Sequence, residues 1–246
     1  MQSFYHNFQI TCVAVCYNRG VSIRQAVSVG KASVQENLIP MFVLWLAAAA
    51  AALLYWRSAA FQEMLGSVVR LQVKGGYAAA FLNRLVFCGI VPGAFILALP
   101  RLRPRRRALA VVLLTALWCG VWGMVCDGFY RLQQDWFGAE ARWSVVILKT
   151  LVDQFVFNVL VIAPSSAAFY FWTANALDFG QTLRRWPRDW IMTAVLPNLV
   201  TSWCVNIPVF LAIYMFPHPL QVQLSGLAAS FWTLVSLGIG RGILRR

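Results

Sequence analysis

The residues of this chain best suited to chemistry are polar groups strung at helical spacing through apolar sequence. Lys149 and Asp153 stand about one helical turn apart, so an ammonium and a carboxylate can pair there, which lowers the cost of holding either at a membrane edge. That pair reads equally as a surface ion pair and as the charged mouth of a polar path. Gln154, Asn158 and Ser165 continue one face of the same segment, and Pro164 frees a carbonyl nearby. Asn198, Ser202 and Asn206 recur once per turn, with Thr201 adjacent and Pro197 and Pro208 bracketing them. A period of about 3.6 residues places them on one stripe. Gln223, Gly226, Ser230 and Thr233 form a third stripe. Arg84 lies within an apolar run and needs a partner, for which Asp127 and Asp153 are the candidates by depth.

These groups suit hydrogen bonding to each other or to a polar solute better than bond-breaking chemistry. Only 8 Asp and Glu stand against 21 Lys and Arg, a formal charge of +13, so acidic catalysis has little to draw on. Asp127-Gly128 superficially matches the start of a CDP-alcohol phosphotransferase site, but Asp135, Glu140 and Asp153 do not supply the further carboxylates that hold its metals. His6 and His218 are isolated and read as solvated surface residues, and no serine has a histidine base nearby. The six cysteines, Cys12, Cys16, Cys88, Cys119, Cys126 and Cys204, form no CxxC pair, so neither a zinc site nor a disulfide framework is indicated. No enzyme activity, metal or cofactor is expected.

The elements that must position the polar stripes are membrane spans. The chain has 246 residues, 60% hydrophobic and 12% charged, against about 25% charged in an ordinary soluble domain. Uncharged apolar runs of roughly 20 residues read as helices crossing a bilayer, because hydrocarbon cannot satisfy an open backbone. Such runs cover 38–56, 108–126, 154–177, 190–217 and 219–240. A further span starts near Tyr77, takes in Arg84 and ends by Pro100. The fold class is thus all-α, a polytopic transmembrane bundle of about six spans.

Most cations fall on one side if the N-terminus is inside, with Arg101, Arg103, Arg105, Arg106 and Arg107 in a single loop. Both termini then face the cytoplasm or matrix. The 101–107 loop suits anionic headgroups, whereas a nucleic-acid groove is not suggested, because the cations sit at segment ends. Trp56, Trp136, Trp143, Trp172, Trp186 and Trp190 lie near span ends, where an indole suits the headgroup layer. Ala116 with Gly120, and Cys119 with Gly123, form small-xxx-small pairs that read as helix packing. Residues 1–36 do not reach a span and form a polar or surface-associated segment; 37–75 hold an additional helix and a loop.

The stretch from Gly123 to Gln154, with Phe129-Tyr130 and then Lys149-Thr150-Leu151-Val152-Asp153-Gln154, resembles the Mpv-seventeen and peroxisomal membrane protein family, marked by a Trp-Tyr pair and K-x-x-x-D-Q. Trp186-Pro187, Tyr214-Met215-Phe216-Pro217 and Trp232-Thr233 with Ser236 are similar to its later elements. This chain carries Met124, Asp127, Phe129, Gln221 and Thr233 where the family has Pro, His, Trp, Arg and Asn. The resemblance covers residues 76–246, and the family's four spans leave the first helix as an addition. It implies a small integral protein of mitochondrial inner or peroxisomal membranes, or of a bacterial plasma membrane, that passes small solutes and is linked to mitochondrial DNA maintenance. Two roles stay open. One is a channel-like bundle lined by Lys149, Asp153, Gln154, Asn158, Asn198, Ser202 and Asn206. The other is a non-conducting assembly protein whose polar stripes are consumed in packing, with lipid, partner subunits or a second copy as its contacts.

Overall fold

The computed structural model describes residues 38–98, 108–175 and 177–243, with scattered positions between 24 and 35. Nearly all of the 1–36 segment lies outside the described residues, and so does the 101–107 loop expected to meet anionic headgroups. Among the described residues there is no strand. In chain order the helices are α1 (Leu38–Arg57), α2 (Ala59–Arg84), α3 (Val91–Ala98), α4 (Ala108–Phe137), α5 (Trp143–Val152), α6 (Ala163–Ala174), α7 (Phe179–Arg184), α8 (Leu196–Ile213) and α9 (His218–Ile243). Three π-helical segments, Leu85–Ile90, Asp153–Ile162 and Ile191–Val195, join α2 to α3, join α5 to α6 and lead into α8. Each of the six runs read from the sequence is therefore helical.

Three helical stretches are long and apolar enough to cross a membrane: Ala59–Ala94, Leu109–Phe137 and Trp143–Thr173. Phe42–Arg57 and Asn198–Ile213 are shorter apolar helices. Their outer faces carry bare aliphatic side chains such as Leu160, 70% exposed, and Leu46, 69% exposed. Surfaces of this kind are stable against acyl chains rather than water, and the chain is an integral membrane protein. Trp136 and Trp143 are exposed at the ends of α4 and α5, and Trp56 Nε1 at the end of α1 donates to the Met215 carbonyl at 3.1 Å.

Each π-helical segment stops two residues before a proline: Pro92, Pro164 and Pro197. A proline has no N–H to give, and its ring crowds the carbonyl four residues back, so the turn ahead of it widens. Side chains also donate to backbone carbonyls of the segment ahead of Pro164. Trp203 Nε1 donates to the Gln154 carbonyl at 2.9 Å, and Gln133 Nε2 to the Lys149 carbonyl at 3.1 Å.

Two elements differ from their sequence-based expectation. Residues 59–75, expected as a loop, form the first half of α2, started by Ser58, whose hydroxyl accepts from the Phe61 N–H at 3.2 Å. The helix breaks at Gly76, where φ is 50° and ψ is −128°, a conformation open to glycine and strained for other residues. Gln72 Nε2 reaches the Gly76 carbonyl at 3.3 Å across this break. Second, α4 runs on to Phe137 beyond the apolar run that ends at Cys126, so Asp127, Arg131 and Gln133 are helical instead of marking a boundary.

The contact between α2 and α4 is built on small residues, as the small-xxx-small spacing predicts. A Cβ on Gly123 would meet the Ala80 carbonyl oxygen at 2.3 Å, one on Gly120 the Phe81 ring at 2.7 Å, and one on Gly89 the Ala116 Cα at 2.3 Å. Ala80, Cys126, Tyr130, Val146, Tyr214 and Val222 form a buried cluster where α2, α4, α5 and α9 meet the end of α8. Replacing Gly123 by Val is expected to lower stability by about 1–3 kcal/mol through overpacking. Gly66→Ala, which meets only the tip of Arg70 at 3.5 Å, should be neutral or mildly stabilising. Thermal unfolding of the detergent-solubilised variants checks both.

Candidate functional site

The second π-helical segment begins at Asp153, and its first turns carry Asp153, Gln154 and Asn158, all buried. Facing them across the bundle, α8 carries Asn198, Ser202 and Asn206 on one stripe and ends at Tyr214. The stripes join. Asn158 Nδ2 donates to Ser202 Oγ at 3.0 Å, and Asn206 Nδ2 donates to the same oxygen at 2.9 Å. Asn158 Nδ2 also lies 3.4 Å from Gln154 Oε1, and Gln154 Nε2 donates to Asp153 Oδ1 at 2.9 Å. The second carboxylate oxygen, Oδ2, accepts from the Tyr214 hydroxyl at 2.6 Å. A chain of hydrogen bonds thus runs from Tyr214 through Asp153, Gln154, Asn158 and Ser202 to Asn206.

This chain forms one wall of a cavity of about 290 Å³ inside the bundle. Asp153, Gln154, Asn158, Asn198, Ser202 and Asn206 all line it, as the spacing predicts, and Arg84 closes the opposite side with Trp118, Trp122 and Ser225. Arg84 Nη2 donates to Ser225 Oγ at 2.8 Å. The Trp118 ring stacks on Phe169 with centroids 4.5 Å apart, and Phe129 stacks on Phe157 at 3.9 Å. Aromatic pairs of this kind stiffen the walls between α4 and the stretch from Asp153 through α6.

Three expectations about the charged groups are corrected. Lys149 does not pair with Asp153: its Nζ donates to the Gly138 carbonyl at 2.6 Å, at the far end of α4, and it lies off the cavity. The carbonyl left open where α4 ends takes the ammonium, while Tyr214 and Gln154 hold the carboxylate. Arg84 is bonded to neither Asp127 nor Asp153, since among the described residues no carboxylate lies within 4 Å of it. Asp127 belongs to a separate network. It is fully buried, receives Arg131 Nε at 2.9 Å on Oδ2, and has Gln72 Nε2 and His218 Nε2 each 3.3 Å from Oδ1. His218 is therefore tucked against a buried carboxylate instead of solvated.

That second network explains the stripe on α9. Gln223 Nε2 donates to Gln72 Oε1 at 2.6 Å, and Asn83 Nδ2 donates to Gln223 Oε1. Gly226 leaves room for Asn83, whose Oδ1 a Cβ would meet at 2.3 Å. Gln223 thus stitches α9 to α2, and among the described residues Ser225, between Gln223 and Gly226, is the polar side chain of α9 that lines the cavity.

Sequence reasoning missed Tyr214 as the donor to Asp153, together with Gln72, Asn83 and Ser225. Gln72 gave no signal because its segment reads as a loop. Tyr214 stands out only as part of an aromatic run before Pro217. Among the described residues no three His, Cys, Asp or Glu side chains gather to hold a metal ion.

Against protein-family models, curated proteins and solved structures, the chain gives no match. What the site can do therefore rests on its geometry.

Because Tyr214 donates to a buried carboxylate, Tyr214→Phe leaves one oxygen of Asp153 short of a donor. A loss of about 1–3 kcal/mol in unfolding free energy is expected. Combined with Asp153→Asn, the two losses should fall short of additivity by about 1 kcal/mol or more, since the residues share one bond. Double-mutant thermal unfolding in detergent measures this directly.

Proposed function

We propose that this protein is a channel-like bundle that passes small polar solutes across an inner or organellar membrane, without catalysing a reaction on them. The observation carrying the reading is the cavity of about 290 Å³ between apolar helices, lined by Arg84, Asp153 and a row of amides and hydroxyls. Polar side chains at membrane depth persist where they pair with each other or face water, and this set does both: the row is bonded within itself and still borders open space. The volume sits near the lower end of the roughly 300–1,000 Å³ common for small-molecule sites. The resemblance of residues 76–246 to the Mpv-seventeen and peroxisomal membrane protein family points the same way. On that reading the protein resides in a mitochondrial inner, peroxisomal or bacterial plasma membrane with both termini on the cytoplasmic or matrix side. The 101–107 arginines then meet anionic headgroups.

A second reading, a non-conducting assembly protein, draws on one observation of its own. Asn158, Ser202 and Asn206 already satisfy one another, which is what helix packing alone would produce.

Two measurements separate them. Full-length protein in liposomes should release preloaded glycerol or lactamide faster than empty vesicles, and no release above that background removes the channel reading. A cysteine placed at Asn198, on the cavity wall, should react with a small water-soluble thiol reagent roughly tenfold or more faster than one placed at the outward-facing Leu160. Equal protection of both favours the packing role.

A further inference from the structure

The Trp143–Thr173 span ends just before α7, and the widened turn Ile191–Val195 that leads into α8 begins shortly after it, so α7 lies where the chain emerges at a bilayer face. One flank of this connection is fastened to the bundle. Asp178 Oδ1 accepts the Gln181 N–H at 2.9 Å and starts the helix, and the buried Thr182 donates its hydroxyl to the Asp178 carbonyl at 2.6 Å. Beyond α7, the Trp186 ring stands edge-on to Phe171 of α6 with centroids 5.4 Å apart and lies 5.1 Å from the Trp190 ring. Trp190 in turn packs beside Ala163, Val195 and Leu199. The other flank is bare. Phe179 is 68% exposed and Leu183, one turn on, is 59% exposed, so the two share a face. Arg184, Arg185 and Arg188 follow directly and are exposed as well. Arg185 Nη1 lies 3.5 Å from Asn175 Oδ1, whereas Arg184 and Arg188 have no carboxylate within 4 Å among the described residues. The acids of the stretch are Asp178, committed to the start of α7, and Asp189.

We propose that α7 and the arginines after it form a docking surface for anionic phospholipid. Phe179 and Leu183 rest at the boundary of the acyl chains, Arg184 and Arg188 hold the headgroup phosphate, and the half-buried Trp186 and Trp190 sit at headgroup depth. An apolar flank beside cations is the pattern of a helix lying in the plane of the interface, and indoles suit the same layer. A guanidinium presents parallel donors that match two phosphate oxygens at once. A zwitterionic headgroup brings its own cation next to the phosphate, whereas an anionic one leaves its negative charge to the arginines. This surface is separate in sequence from the 101–107 arginines, and it does not depend on whether the bundle conducts.

The full chain in nanodiscs of equal parts phosphatidylglycerol and phosphatidylcholine tests it, with photoreactive p-benzoylphenylalanine in place of Phe179 or, in a second preparation, of the exposed Gln181 on the opposite side of α7. On irradiation, position 179 should attach lipid roughly fivefold or more over position 181. Mass spectrometry of the adducts at 179 should show phosphatidylglycerol over phosphatidylcholine by about threefold or more. Arg184→Gln with Arg188→Gln should bring that ratio close to one and leave total lipid attachment at 179 unchanged. Arg142→Gln, which removes an exposed arginine paired with Glu140 elsewhere on the surface, should leave the ratio as it was. Salt at about 1 M should lower the ratio in the unaltered protein by screening, which carries the test if the double variant does not give a monodisperse protein. Equal lipid attachment at 179 and 181 overturns the proposal, as does attachment at 179 to a second copy of the chain in place of lipid. So does a ratio near one in the unaltered protein, or a preference that survives both the double substitution and high salt.

Discussion

A carboxylate cannot be left bare inside hydrocarbon, and the two hydrogen bonds that reach Asp153, from Tyr214 and from Gln154, are the constraint around which the bundle is arranged. Tyr214 closes α8, and Gln154 lies in the first turn of the widened segment Asp153–Ile162. Satisfying one side chain therefore fixes the relative depth of two helices. Once that depth is set, Asn158 falls opposite Ser202, and the Trp203 indole falls against the Gln154 carbonyl. Because each polar group in such a medium has few alternatives, errors of register leave several groups unpaired together.

The molecule divides its polar content between two systems with different jobs. Gln72, Asn83, Asp127, Arg131, His218 and Gln223 bind one another across α2, α4 and α9. They border glycine contacts in which backbones nearly touch. Asp153 to Asn206, by contrast, borders empty space. The difference follows from residue size at the interfaces: Gly89, Gly120, Gly123 and Gly226 draw α2, α4 and α9 together, whereas the wall facing Arg84 is held apart by Trp118, Trp122 and Phe157.

Much of this was legible in the chain. A run of apolar residues can be satisfied in a membrane only as a helix, so the six rods follow from composition and length. Helical periodicity puts Gln154 with Asn158, and Asn198 with Ser202 and Asn206, on single faces, and in the folded bundle both faces border the same cavity. The charged partners were not legible. Spacing brings Lys149 near Asp153, but spacing cannot reveal that the end of α4 offers a carbonyl at Gly138 closer to hand, or that Tyr214 arrives from a distant helix. Residues 59–75 were hidden for a similar reason. Their mixed polarity resembles a loop, and the partners of Gln72, with the packing of Leu65, Val68 and Val69 beside Phe216 and Leu220, make a helix there worthwhile in the folded bundle.

The prolines at 92, 164 and 197 act as more than interruptions. A turn that closes over five residues instead of four changes the angular relation between the side chains before and after it, so one rod can address different neighbours along its length. The Trp143–Val152 portion meets α4 and α8, while Ala163–Ala174 lies against the widened turn at Ile191–Val195. The Trp143–Thr173 span thus works as two gears on a single shaft, phased by one imino acid. Its upper teeth and lower teeth could drift apart in evolution without either losing its mesh.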